Sequence, residues 1–290
     1  MRFARGDILL AATDVDDRNI DLRNHKGPGR ILHLGADFSA KGELRTGAVG
    51  LLVGLAIDPV DGSIWTADPT GRAVFHFGVD GVLLLSPELP SRPWGTVGFG
   101  PDGAMYLGVH TQRGGPPEDA LAGDKLVRLA NGAMAESWPV ETDGGHTGWH
   151  GLTSLGFADA GRVAVYLSEG GRRVLRYDLK ARVQLDDLLC FAESDGRRAY
   201  GVTVLDDGRA LVATGRSAVL LAADGAEVAE WPAQPEKGWT RVTVSRDGET
   251  FFFNNFLEGL IERRRLVDGA VVARHDILRR CSLCGVVDFG

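Results

Sequence analysis

Cysteine is scarce in this 290-residue chain, which carries only Cys190, Cys281 and Cys284. Three thiols do not build a disulfide framework, so a reducing compartment is the expectation. No run approaches the roughly 18 apolar residues of a membrane-spanning helix. Residues 1–7 lack the long apolar stretch that heads a secretory signal. These absences predict a cytoplasmic protein with no membrane partner. Positive charge is also short: the formal net charge is −7. That argues against a nucleic-acid partner, which needs a basic patch. Helical periodicity is missing as well, because no long stretch repeats its apolar residues every three to four positions.

Glycine, by contrast, is abundant at 40 residues, and it sits at turns between short apolar runs. One kind of turn recurs at Gly6, Gly62, Gly103, Gly161, Gly208 and Gly248. The steps are roughly 40–58 residues, the length of propeller blades with loop insertions in the longer ones. Each unit reads alike, as in Gly201-Val202-Thr203-Val204, a turn at Asp207-Gly208, Ala210-Leu211-Val212, then Ala218-Val219-Leu220-Leu221. Short β-branched or aromatic runs between Asp-Gly turns signal antiparallel hairpins.

One unit is split between the termini. Cys284-Gly285-Val286-Val287-Asp288-Phe289 resembles the internal Trp94-Gly95-Thr96-Val97-Gly98-Phe99. Gly6-Asp7-Ile8-Leu9-Leu10 continues it as Asp102-Gly103-Ala104-Met105-Tyr106 continues the internal copy. A divided repeat is what a closed ring needs. The prediction is an all-β, six-bladed β-propeller in one domain, 1–290. Its first blade is closed by the C-terminal strand (284–290 plus 1–46). The other blades fall at approximately 53–90, 94–140, 150–190, 200–232 and 239–280.

The segment from Gly54-Leu55-Ala56-Ile57-Asp58 to Asp61-Gly62-Ser63-Ile64-Trp65-Thr66-Ala67-Asp68 resembles a blade of the gluconolactonase/senescence-marker and NHL-type propellers. Ser168-Glu169-Gly170-Gly171-Arg172-Arg173-Val174-Leu175-Arg176-Tyr177 is similar to a segment of strictosidine-synthase-like propellers. This blade-level resemblance covers nearly the whole chain. It implies that the starts of the inner strands and the loops after the second strands share one mouth of the central channel. Around the inner-strand starts lie Cys284, Val53, Trp94, His150, Tyr200, Trp239 and Arg241. The outer loops hold Asp14, Asp16, Asp68, His110, Arg113, Glu169, Arg216, Asn254, Asn255 and Glu258.

Trp94, His150 and Tyr200 each precede an inner-strand glycine, so they are expected to occupy one slot. There they either wall a pocket or plug the channel. His150 is the candidate general base or metal ligand, since neutral imidazole serves both roles near neutral pH. Glu169 is its candidate catalytic partner. His146, His150, Glu169 and Asn254 are the candidate ligands of one divalent metal ion, of unknown identity, which would polarise a substrate or activate water. Trp94, Tyr200, Trp239, Arg241 and Cys284 are the candidate substrate-binding residues. Cys281-Ser282-Leu283-Cys284 is read first as packed thiols. A Cys284 close to His150 would instead have a lowered pKa and nucleophilic character. Asp68-Pro69-Thr70-Gly71 is read as a turn, and residues 114–119 as a lid or a surface loop. Two functions stay open. One is a lactonase-like hydrolase or lyase acting on a small molecule. The other is a non-catalytic scaffold binding a protein or metabolite through exposed Trp94, Trp149 and Trp239.

Overall fold

The side chain of an aspartate ahead of a glycine turns this chain back on itself. The Asp102 carboxylate accepts the N–H of Ala104, Asp207 that of Arg209, Asp224 that of Ala226 and Asp247 that of Glu249. The glycine between them takes a positive φ, +74° at Gly103 and +85° at Gly208, which side chains with a Cβ resist. Hairpins therefore follow one another along the chain. The computed structural model describes residues 3–13, 27–47, 50–86, 88–111, 124–130, 132–143 and 150–290, except for the side chains of Thr111 and His150.

The hairpins assemble into five four-stranded sheets and one five-stranded sheet. The first strands of the blades are Gly285–Asp288, Val53–Ile57, Trp94–Phe99, Ser154–Ala158, Gly201–Val204 and Trp239–Val244. Each of these touches the next, and the sixth touches the first, so the ring closes. The hydrophobic core is divided in the same way. Every buried cluster draws on two neighbouring blades: Leu51, Trp94 and Leu107 join the second and third, and Val165, Val202 and Val212 the fourth and fifth. Ile8, Leu10, Phe252 and Val286 join the sixth and first. A blade thus buries its faces only against its neighbours, which makes the ring a six-bladed β-propeller.

The first blade is split as the sequence predicts. Gly285–Asp288 lies antiparallel to Ile8–Thr13, with Ile8 opposite Asp288 and Ala11 opposite Gly285. The fourth blade departs from expectation. His150–Gly151 pairs with Thr111 and His110 of the third blade, and the fourth blade's first strand begins only at Ser154. Leu152, fully buried, is the reason. It crosses over Gly95 and Gly108, and a Cβ on Gly108 would come within 2.6 Å of the Leu152 Cβ. These glycines let the lead-in segment lie on the third blade before the chain moves to the fourth. Among the described residues the only helical elements are two short 3-10 turns, and no helix is long and apolar enough to cross a membrane.

A buried polar group fastens the closure. Asp7 accepts a 2.6 Å hydrogen bond from His33 Nε2 and a 2.5 Å bond from Lys41 Nζ, while its backbone carbonyl receives the Phe289 N–H. Burial alone would raise the Asp7 carboxyl. The hydrogen bonds from Lys41, the Ala4 amide and His33, with the charge of His33, outweigh it and hold the group below its ordinary value of 3.8. A folded pKa below the unfolded one adds stability that is present above the unfolded value and is lost as pH falls through the folded one. We expect Asp7→Asn to lower Tm at pH 7 and to flatten the fall in Tm below pH 3.8. Parallel slopes of Tm against pH for the two proteins would refute this assignment.

Candidate functional site

Antiparallel pairing puts the beginning of each first strand beside the end of its second strand. The lead-in segments and the turns after the second strands therefore share one end of the ring. Hydrogen bonds between blades stitch this end together. Gly215 exchanges two backbone hydrogen bonds with Trp239, and Gly171 is bridged to Ala199. The side chains carried here are held by backbone fixed from both sides, which favours a preorganised site.

Glu169 stands on such a turn. The N–H of Gly171 donates to the carbonyl of Ser168 at 2.9 Å, and Gly170 has φ +72°. This is the positive φ that a type II turn requires at its third position. The N–H of Gly170 donates to Ala199, whose own N–H donates back to Gly171. Glu169 is thereby tied beside the residue that follows Ala199, which is Tyr200. Asp143 steadies the turn from below: its Oδ2 accepts the N–H groups of Arg172 at 2.7 Å and Arg173 at 3.1 Å. A Cβ on Gly171 would collide with that carboxylate. The role of Asp143 is missed by sequence reasoning, and the Gly170-Gly171 pair was the signal for it.

Tyr200 lies over Gly215, where an added Cβ would come within 2.8 Å of its ring. Burial, then the negative charge of Glu169, push its phenol above the ordinary value, with Arg198 opposing. The O–H therefore stays protonated at neutral pH. Arg241, on the next blade, runs across Gly201, where a Cβ would sit 3.4 Å from the Arg241 Cδ. Among the described residues the Arg241 side chain makes no hydrogen bond or ion pair. Cys284, one blade further, feels both Arg241 and Glu169. Burial dominates, however, and pushes its thiol up to about 12, with Glu169 and Cys281 adding to the rise and Arg241 opposing it. Burial thus favours the neutral thiol, and the His150 side chain, on which a nucleophilic Cys284 would depend, lies outside the described residues. Glu169, Tyr200, Arg241 and Cys284 thus come from four consecutive blades to one end of the ring.

Other expected residues are placed elsewhere. Trp94 and Trp239 are fully buried in the interblade cores and present no face to solvent. Trp239 donates its indole N–H to Pro235 O at 2.7 Å and packs against Phe253 at 4.6 Å. Their strands carry bulges directly after them, between Trp94 and Thr96 and between Trp239 and Arg241. A bulge turns the preceding side chain to another direction, so a shared slot in sequence is not a shared direction in space. Asp68 is a turn residue: it is fully buried and accepts the N–H groups of Gly50 and Gly71. Asn255 likewise accepts the Glu258 N–H, and Glu258 pairs with Arg280 on the surface. Arg216 is exposed. Asp14, Asp16, Arg113, residues 114–119, His146, Trp149 and the His150 side chain lie outside the described residues.

The expected divalent metal needs oxygen or nitrogen donors in number, six or more oxygens for a calcium-like ion. Asn254 offers one: it is fully buried, its Nδ2 donates to Leu283 O at 3.4 Å, and its Oδ1 has no partner. Glu169 offers a carboxylate. Among the described residues no group of three or more His, Cys, Asp and Glu forms a metal cluster. Glu169 and Asn254 are thus the two described members of the expected ligand set, and its other two, His146 and the His150 side chain, lie outside the described residues.

Fold and cluster together define a six-bladed β-propeller with a polar group at one end of its ring. Two solved structures are similar to it. One is a gluconolactonase from Xanthomonas campestris, with a TM-score of 0.59 and 16% identity over 78% of this chain and 75% of that one. The other is a chain of the nidogen/laminin complex, with a TM-score of 0.65 and 11% identity over 98% of each chain. At these identities the likeness establishes the fold. No family model matches the chain, and no curated protein does.

Proposed function

We propose that this protein binds a small molecule at the end of the ring and hydrolyses it as a lactonase-like enzyme. Glu169 is the general base and Tyr200 the hydrogen-bond donor to the reacting carbonyl. The observation that carries this reading is the gathering, at one end of the ring, of a carboxylate and a guanidinium that have no ion-pair partner among the described residues, with a protonated phenol between their blades. Glu169 takes a proton from water as the water oxygen bonds to the lactone carbonyl carbon. Tyr200 donates its O–H to the carbonyl oxygen as negative charge develops there. The ring C–O bond then breaks, and the leaving oxygen takes the proton from Glu169, giving a hydroxy acid.

The test is hydrolysis of a panel of γ- and δ-lactones, followed by acid release. Glu169→Gln should lower kcat/KM by about 100-fold or more, the contribution expected of a general base, with Tm unchanged. Full activity in that variant would remove Glu169 from the mechanism. The likeness to a chain of the nidogen/laminin complex, which extends over 98% of both chains, favours a second reading, a non-catalytic binding scaffold. No turnover of any lactone would favour that reading. The metal expectation is tested separately, by elemental analysis of dialysed protein before and after resupply of divalent ions. A stoichiometric ion would direct mutation to His146, His150 and Glu169.

A further inference from the structure

Arginines in the sheets elsewhere have partners. Arg30 pairs with Glu43, Arg173 with Asp187, Arg197 with Asp195 and Glu227, and Arg264 with Glu262. Arg241 is half-buried on a first strand, close to the ring axis, yet has no such partner among the described residues. Placing a guanidinium there without a counter-charge costs solvation that no described residue returns. Gly201 supplies the space for its stem, and Cys284, which its charge reaches, has a thiol that burial holds neutral. Glu169, two blades away, makes no ion pair with it.

We infer that the substrate of this site carries a carboxylate, which the Arg241 guanidinium receives. The inference rests on the hydrolytic reading above and names its substrate class: a lactone or ester of a small molecule with a separate carboxylate. A guanidinium presents its N–H groups as a fork that matches the two oxygens of a carboxylate. A phosphate dianion fits less well. Glu169, whose charge reaches the same Cys284 thiol as that of Arg241, would repel its second negative charge. Glu169 and Arg241 belong to the blades on either side of the one that Tyr200 leads into. A substrate anchored at Arg241 therefore presents its other end to Tyr200 and Glu169, and the anchor orients the carbonyl.

The experiment is calorimetric titration of the full chain with glutarate, its dimethyl ester and inorganic phosphate at low ionic strength. Glutarate should bind, the diester should bind at least tenfold more weakly, and phosphate more weakly than glutarate. Arg241→Gln should weaken glutarate at least tenfold, Arg241→Lys should retain part of the affinity, and added NaCl should weaken binding to the unaltered protein. Equal binding of glutarate and diester, tighter binding of phosphate, or unchanged affinity in Arg241→Gln would each overturn the inference. Should Arg241→Gln fail to fold, the Lys variant and the salt dependence decide. Binding and turnover fail separately. Glutarate bound through Arg241 with no lactone hydrolysed sinks the hydrolase alone, and neutral lactones hydrolysed without help from Arg241 sink the carboxylate alone.

Discussion

Removal of residues 284–290 is expected to abolish cooperative folding. The segment is only the end of the chain, but it is a whole strand of the ring. Gly285–Asp288 completes the first blade, and its absence would leave Ile8–Thr13 with an unpaired edge facing the centre. Val286, almost fully buried, would vanish from the core shared by the first and sixth blades, where burying one such side chain is worth about 1.5–3 kcal/mol. Asp288 also carries the junction, accepting hydrogen bonds from the Ser245 hydroxyl and the Arg246 N–H. Outside the strand, the Phe289 ring stacks on Phe3 at 4.7 Å. Together these losses rival the whole stability of a typical domain, about 5–15 kcal/mol. Circular dichroism melting reads the outcome, and a truncated protein melting within a few degrees of the full chain would mean that the ring closes some other way. A circular permutant separates closure from chain length. Joining residue 290 to residue 3 and opening the exposed turn between Asp206 and Asp207 keeps every strand pair, so it should melt cooperatively.

The ring was legible in the sequence because its parts are local. An Asp-Gly turn announces itself within four residues, and the Gly285-Val286-Val287-Asp288 run matches first strands inside the chain. Alternating burial, as in Val53–Ile57, follows from a strand with one face on each neighbouring blade. Which residues share one end of the ring was legible too, since antiparallel pairing fixes where strands begin and end. Glu169, Tyr200, Arg241 and Cys284 were all among the residues expected there.

Direction was not legible. Trp94 and Tyr200 both precede a glycine, yet a one-residue bulge sends Trp94 into the core while Tyr200 lies over Gly215. His150-Gly151 has the same pattern and belongs to a lead-in segment, four residues ahead of the strand at Ser154. Such a segment and a first strand share composition. What separates them is whether glycines on the preceding blade, Gly95 and Gly108, leave room for a crossing. The state of Cys284 was hidden for a similar reason: burial, which dominates its pKa, is a property of the assembled ring.

Replacing Glu262 by Leu should cost about 3–5 kcal/mol, the penalty of stranding a buried charge. Glu262 and Arg264 are both nearly inaccessible to water, and the Glu262 Oε2 accepts bonds of 2.7 Å from Arg264 Nε and 2.6 Å from its terminal nitrogen. Arg264 also donates to Pro232 O at 3.0 Å and lies 5.5 Å over the Phe253 ring. The pair thus joins the sixth blade to the fifth. Without Glu262 the guanidinium stays pinned by these contacts and has no counter-charge, because Arg274, the other group near Glu262, is a cation too. The double variant Glu262→Leu/Arg264→Met removes both charges and should return to within about 1 kcal/mol of the original protein, as apolar replacements of buried pairs do. Urea unfolding of the two single variants and the double one gives the coupling directly. A Glu262→Leu cost below about 1 kcal/mol would show that water reaches Arg264 in solution. The result bears on the site as well. Arg241 and Asn254 lie opposite each other in the same sheet as Glu262. Loosening that sheet should weaken glutarate binding in Glu262→Leu, and the double variant should recover it, although neither residue belongs to the site.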